Sequence, residues 1–428
     1  MNHATGAVIL RSGHHGGLGI VRSLGRLGVP VYSVDAHRWE PAFSSRYCRG
    51  RFLLRTENCP PEESVTGLLE IGQRLGGRPL LIPTTDQGAI WAAEHATVLQ
   101  ERFRFPYQDV SLVRLLSDKG RMQELARRSG VPTAKALVPR SKKDVEQFLD
   151  TAAFPVMVKA TDAGRLRQRA GGTKFLIQTP RELLALYAKA HDPEESCLLI
   201  QEFIPGEDWM FDGYFDKNSD CLFGLTGKKI RRFPASTGVT SLGVCRRNET
   251  VEKTTAQFMK AIGYRGILDI GYRYDRRDGQ YKVLDVNPRI GCTFRLFTDT
   301  GGMDVARALY MDMTGQPVPP RKDAEGRKWI VEDFDLFSAL HSGRTGALKL
   351  KDWITSLRGV QEAACFAFDD PLPFLLMGVA DCFELYQWIR SWMAVRKPAP
   401  SRDTDRVPDS PIACFTAPSL HPSTSREE

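Results

Sequence analysis

The chain reads as an α/β protein. It opens with a doubly wound parallel sheet, continues as α+β structure, and closes on a small α+β unit. Two observations predict this. Residues 7–36 run strand, Gly-rich loop, helix, strand, which is the repeating unit of a parallel sheet. Residues 197–287 hold short apolar strands separated by turn signals, which suits antiparallel pairing.

Taken in order, residues 7–10 (AVIL) form the first strand, RSGHHGGLG (11–19) a Gly-rich loop, and IVRSLGRLG (20–28) a helix closed by Gly28. VPVYSVDA (29–36) is a second strand ending at Asp35. A helix near 62–76, the strand PLLIPTTD (79–86) and a helix from 88 complete an N-terminal domain over 1–110. The stretch 112–130 reads as a helix with Gly130 at its C-terminus and Pro132 just beyond. FPVMVKA (154–160) is a strand, TDAGRLRQRAGGTKFLI (161–177) a basic Gly-bearing loop entering another strand, and CLLIQEFIPGEDW (197–209) a strand running into a turn. Further strands fill 210–243. A helix at 249–262 precedes strands 266–275 and 280–287, which RRDG (276–279) joins; its Asp-Gly favours a hairpin. Residues 321–395 form an accessory unit with turn signals at HSGRTG (341–346). Its end carries Phe383, Tyr386, Trp388, Ile389, Trp392 and Met393, an apolar stripe at helical spacing expected to pack on the core. From 396 the chain is rich in proline and serine and is expected to be a disordered tail.

At 428 residues the chain has room for two or three domains, and 42% hydrophobic with 26% charged residues is ordinary for a globular protein. The net charge of +8 admits anionic ligands. Its basic residues are scattered, with small clusters at RLRQR (165–169) and KKIRR (228–232) and no aromatic-interleaved motif, so nucleic acid is not an expected partner. Nine cysteines without a C-x-x-C pair point to free thiols in a reducing compartment. MNHATGAVILRSG lacks the pattern of a signal peptide, and PLPFLLMGVA (371–380) is too short to span a bilayer. A cytoplasmic protein without a transmembrane segment is expected, and a homo-oligomer is compatible with all of this.

KVLDVNPRIG (282–291) carries the most chemistry. Asp285 and Asn287 are two apart on a strand, so their oxygens share one face. Pro288 keeps Asn287 extended. One carboxylate and one amide are hard donors of the kind Mg²⁺ takes when phosphates complete its shell. Arg289 follows where it could grip a phosphate or carboxylate.

Upstream lie, in order, Lys119 in SDKGRM, Lys159 in VMVKA, the Gly-bearing loop 163–173, the turn QEFIPGED (201–208), and the hairpin strand with Asp269. In this order and spacing the chain resembles the ATP-grasp superfamily, more narrowly its carboxylate–amine ligases of the carbamoyl-phosphate-synthetase-like type, over about residues 1–320. The resemblance implies two α+β subdomains clasping ATP over 111–320, with a lid at about 135–205. It implies that Lys119 and Lys159 contact phosphates and that Gly164, Gly171 and Gly172 form a closing loop. Glu202, Phe203 and Ile204 would read adenine, and Glu207 or Asp208 the ribose. Mg²⁺, with Mn²⁺ as an acceptable substitute, would sit on Asp269, Asp285 and Asn287. Family members often carry a ligand at the position that is Gly271 here, and Asp269, two residues earlier on the same face, is expected to replace it. Lys159, Arg289 and Arg295 would stabilise the transferred phosphoryl group or hold a carboxylate.

The implied reaction joins a small-molecule carboxylate to an amine through an acylphosphate, releasing ADP and phosphate. SGHHGG (12–17) and TTDQ (84–87) follow strands and are offered to the acceptor, with His14 or His15 able to receive a proton from the amine. A non-catalytic nucleotide-binding module of the same fold is the alternative. A Rossmann oxidoreductase using GHHGGLG and Asp35 is disfavoured, because the spacing misses G-x-G-x-x-G.

Overall fold

Four parallel strands build the first sheet: β1 (Ala7–Leu10), β2 (Val31–Asp35), β3 (Cys48–Leu53) and β4 (Leu80–Pro83), in the order β3-β2-β1-β4. In the computed structural model, residues 3–57, 59–161, 163–191, 196–234, 238–344, 346 and 348–378 are described. The apolar stripe at 383–393 and the tail from 396 lie outside them. β1 is buried on every residue, as a central parallel strand requires. Val8, Leu10, Val34, Leu68, Leu81, Leu99 and Phe103 pack as the core of this part.

The Gly-rich segment after β1 is shorter than its sequence suggests, because α1 (His14–Gly25) already starts at His14. Glycines are what let this helix sit so close to its neighbours. A Cβ on Gly17 would lie 2.1 Å from the Ser12 carbonyl oxygen, and one on Gly16 would lie 3.1 Å from Cys292 Cα. The stretch expected as one helix at 112–130 is two, Val110–Ser117 and Lys119–Arg128. Asp118 separates them: it leaves helical geometry, and its carboxylate accepts the Arg121 N–H at 2.9 Å as an N-cap.

A small antiparallel sheet follows, made of β5 (Ala136–Leu137), β6 (Val156–Ala160), β7 (Lys174–Ile177) and β8 (Leu198–Glu202) in the order β5-β8-β6-β7. The basic segment expected as a flexible loop over 163–173 is mostly a helix, Ala163–Ala170. Alanine, leucine, arginine and glutamine are strong helix formers, and Leu166 is fully buried. The chain turns only at Gly171, where φ is +81°.

The large sheet contains β9 (Asp208–Phe215), β10 (Cys221–Phe233), β11 (Val239–Cys245), β12 (Gly266–Asp275), β13 (Gln280–Asn287), β14 (Lys328–Ile330) and β15 (Val360–Ala363). Its order is β13-β12-β9-β10-β11-β14-β15. One face packs Phe211, Phe215, Ile270, Tyr272, Val283 and Val286 against the helices Val110–Ser117, Lys119–Arg128 and Glu249–Ala261. The described residues of the 321–395 stretch do not build a sheet of their own. β14 pairs antiparallel with β11, and β15 runs parallel beside β14, so both extend the large sheet.

Residues Met1–Phe374 form one contact unit and Leu375–Glu428 a second, of which only 375–378, helical, are described. No helix among the described residues is long and apolar enough to cross a membrane.

Candidate active site

The ladder between β12 and β13 sets the donor geometry. Asp269 faces Asn287, and Gly271 faces Asp285. On the other side of β12, Asp269 also faces Asp212 of β9. Asn287 Nδ2 donates to Asp269 Oδ2 at 3.1 Å. At Gly271 a Cβ would lie 3.9 Å from Asp285 Cβ, an ordinary contact, so the position is open. Asp212 is fully buried with both carboxyl oxygens unpartnered among the described residues. Burial and the nearby Asp269 push its pKa well up, so the neutral acid is favoured.

Arg289 closes this end. Its Nε donates to Asp86 Oδ1 at 2.9 Å, one terminal nitrogen donates to Asn287 Oδ1 at 3.3 Å, and Asp269 Oδ2 lies 3.9 Å away. The arginine thus ties the β4-end loop to the donor row.

Opposite the donors stands a cluster of cations. Lys159 of β6 and Lys174 of β7 are cross-strand partners. Lys159 Nζ donates to the Leu284 carbonyl at 3.4 Å, and Lys119 Nζ to the Ala160 carbonyl at 3.2 Å. Burial depresses Lys159 to about 8; Asp285 opposes the shift, and Lys174 and Lys119 add to it. Burial works against the Asp285 carboxylate, but Lys119, Lys159, Lys174 and Arg289 outweigh it and hold its pKa below the ordinary value. The carboxylate is therefore charged and ready for a cation.

These groups line one cavity of about 260 Å³. Its walls include Lys119, Lys159, Lys174, Glu202, Phe203, Ile204, Asp208, Asp269, Asp285, Asn287 and Arg289, with Met157, Met210, Tyr272 and Leu284 supplying apolar surface. Glu202 is oriented by the Lys135 N–H at 2.9 Å and by Arg277 at 3.0 Å. Arg273 stacks 5.3 Å from the Phe203 ring centroid, donates to the Ile204 carbonyl at 3.1 Å, and pairs with Asp208 at 2.7 Å. Of the two carboxylates proposed for ribose, Asp208 lines the cavity but is engaged by Arg273 and Arg232. Glu207 is outside the wall, bonded to Lys228 at 2.5 Å.

Arg295 does not belong to this set. Its guanidinium is buried between Asp304 and Glu362, the latter at 2.8 Å, and it does not line the cavity. Two acids already share its charge, so it fastens the 294–304 segment to β15 instead of meeting substrate. Gly164, Gly171 and Gly172 are also absent from the cavity wall; Gly164 is inside a helix. Lys174 and Arg273 were not anticipated from sequence. The signal for Lys174 is its place in KFLI, the strand that follows the Gly171–Gly172 turn and returns alongside Lys159.

At the edge of the cavity, Cys292 Sγ lies 3.6 Å from each ring nitrogen of His14. Burial pulls the His14 imidazole down, but Cys292 outweighs this and raises it. His15 turns away and packs on Trp329, with ring centroids 5.7 Å apart. Burial holds it neutral, its pKa lowered to about 3.

Among the described residues, no three His, Cys, Asp or Glu side chains form a closed metal cage. Asp285, Asn287 and Asp269 form instead an open row of hard-oxygen side chains, the donor type that suits a hard cation.

Residues 217–316 match the family described as the carbamoyl-phosphate synthase L chain, ATP binding domain. D-aspartate ligase of Enterococcus faecium is 29% identical over 245 residues, which cover 54% of this chain and 58% of that enzyme. The chain thus spans little more than half the length of that relative. N5-carboxyaminoimidazole synthetase from Staphylococcus aureus, solved with ADP, superposes with a TM-score of 0.59 at 15% identity, over 75% of this chain and 80% of that one. The biotin carboxylase domain of Hydrogenobacter thermophilus 2-oxoglutarate carboxylase, solved with MgADP, gives 0.57 at 16% identity, over 76% and 73%. Sequence match and shared architecture point one way: the chain has an ATP-grasp fold and is similar to ligases of that superfamily.

Proposed function

We propose that this chain is an ATP-dependent ligase that joins a small-molecule carboxylate to an amine through an acylphosphate. One observation carries the reading: Asp285 and Asn287 face Lys119, Lys159 and Lys174 across a cavity walled by Glu202, Phe203 and Ile204.

The apolar wall and the 202–204 backbone receive the adenine, and the three lysines neutralise the triphosphate as point charges. Asp285 and Asn287, with Asp269 beside them, would hold Mg²⁺, which would supply Lewis-acid polarisation of the phosphate oxygens. Lys159 and Arg289 flank the place where the γ-phosphoryl group would be transferred, and offset the charge that builds there. The substrate carboxylate oxygen forms a bond to the γ-phosphorus as the β,γ-bridging bond breaks, leaving ADP. The amine nitrogen then bonds to the acyl carbon, the C–O bond breaks toward phosphate, and the amine gives up one proton. Most of the catalytic contribution is positioning and charge.

The alternative, a nucleotide-binding module without ligase activity, is favoured by Gly271, which leaves one usual ligand position empty. ADP release over pooled carboxylates, each with and without pooled amines, tests the reading. Release that needs both pools supports the ligase. Tight ADP binding without turnover in any pool supports the module.

A further inference from the structure

We propose that Cys292 is a reversible modification site at the mouth of the nucleotide cavity, and that its reaction partner is a low-molecular-weight disulfide. Four features of its surroundings carry this.

First, Cys292 lines the cavity and is partly exposed. Among the other described cysteines, Cys197, Cys245 and Cys365 are buried. Cys48 and Cys59 are partly exposed and Cys221 is exposed, but the surrounding protein raises the Cys48 thiol and pushes those of Cys221 and Cys245 to about 12.

Second, the His14 ring is arranged to donate to the sulfur. The Gly16 N–H donates to His14 Nδ1 at 3.1 Å, which leaves the ring proton on Nε2, 3.6 Å from Cys292 Sγ. A ring N–H held toward the sulfur favours the thiolate.

Third, the positive end of α1 lies next to Cys292. A Cβ on Gly16 would lie 3.1 Å from Cys292 Cα, and Gly13 makes no side-chain cap there. A thiol beside a helix N-terminus ionises more readily.

Fourth, charges of both signs reach the sulfur. Arg289 favours the thiolate, Asp269 opposes it, and Glu40 acts on His14. Burial opposes ionisation most strongly, yet His14 and Arg289 outweigh it, and the Cys292 thiol is held below its ordinary value.

The step balances without another reagent. The Cys292 thiolate attacks one sulfur of the disulfide; a new S–S bond forms, the old one breaks, and the departing thiolate carries away the electron pair. Excess thiol reverses it. The added group would occupy the cavity that Asp285, Asn287 and Arg289 also line, so modification would exclude the nucleotide. The modification itself stands on this geometry; the loss of turnover that follows from it rests on the ligase reading.

The test uses the full chain at neutral pH with oxidised glutathione, following each cysteine by peptide mass. Cys292 is expected to gain the glutathionyl group severalfold faster than a cysteine of ordinary thiol character, because more of it is thiolate. ADP with Mg²⁺ should slow the reaction severalfold, and dithiothreitol should reverse it. His14→Gly should slow it about tenfold while folding normally, because φ at residue 14 is +69°, a conformation glycine adopts freely. Cys292→Ser should keep its own untreated ADP-release rate in oxidised glutathione, whereas the native chain loses its rate. Another cysteine reacting first, no slowing in His14→Gly, or no protection by ADP would each overturn the proposal. The mass readout needs no turnover, so failure of the ligase reading alone leaves it decisive.

Discussion

Arg22 and Asp370, 348 residues apart in sequence, meet as a buried ion pair at 2.9 Å. The Arg22 guanidinium also donates to the carbonyls of Ala364, Cys365 and Asp370. Asp370 in turn accepts from Ser45 Oγ at 2.7 Å and from the Arg46 N–H at 2.9 Å. The first helix is thus fastened to the segment after β15. Arg22→Ala or Asp370→Ala leaves one buried charge without its partner and should cost about 3–5 kcal/mol. Denaturant unfolding of each variant measures this, and a loss below about 1 kcal/mol would mean that the pair is solvated.

Lys159→Ala should cut ADP release by about a hundredfold or more, the scale of losing one aligned electrostatic contact. The fold should survive, since among the described residues the Lys159 ammonium makes one long hydrogen bond, to Leu284. Near-native turnover would remove this lysine from the phosphate site.

Lys159 also sets a pH dependence. Its pKa of about 8 belongs to the ligand-free site, and bound phosphates favour the charged form and raise it further. Below pH 8 the lysine is already charged, and nucleotide affinity should be flat. Above pH 8 a proton must be taken up on binding, so affinity should fall about tenfold per pH unit until the pKa of the complex is passed. Calorimetry in buffers of different ionisation enthalpy should show proton uptake at pH 8–9 in the native chain and less in Lys159→Met, where the depressed Lys174 remains.

Asp285→Asn and Asn287→Ala should each raise the Mg²⁺ concentration needed for half-maximal turnover. Gly271→Glu should lower it. The added side chain starts in open space opposite Asp285 and can bring a carboxylate to the donor row. A Mg²⁺ titration of the three variants checks both directions, and three unchanged curves would return the DVNPR turn to a structural role.

Arg295→Ala should act on folding first. Asp304 would keep Ser23 and the Arg307 N–H, and Glu362 would keep Arg327, but both would lose the shared buried guanidinium, so unfolding should become easier by about 1–3 kcal/mol. Normal stability with lost turnover would put Arg295 back at the reaction centre.

Strand periodicity carried most of what could be read in advance. Asp285 and Asn287 share a face because they are two apart on one strand, and Lys159 stood out as a cation between apolar neighbours. Lys174 and Arg273 enter the cavity through cross-strand register, Lys174 beside Lys159 and Arg273 beside Asp208. Such pairing is fixed only when distant strands meet. Arg295 was misread because its partner Glu362 lies 67 residues further on. The glycines at 171–172 drew attention to a loop where AGRLRQRA, by its own propensity, forms a helix. β14 and β15 looked like an independent unit because their partner, β11, lies more than eighty residues upstream.

The row in which Asp269 faces Asn287 hangs from two strands whose separation is fixed by backbone hydrogen bonding, about 4.5–5.5 Å between directly opposed side-chain roots. It behaves as a caliper with a locked frame and exchangeable jaws. Lengthening a jaw by one methylene, as in Asp269→Glu, changes the gap without moving the frame. Any ion held there is therefore sorted by arm length, and preference between a small, strictly octahedral cation and a larger, more tolerant one becomes a property that a single side chain can reset.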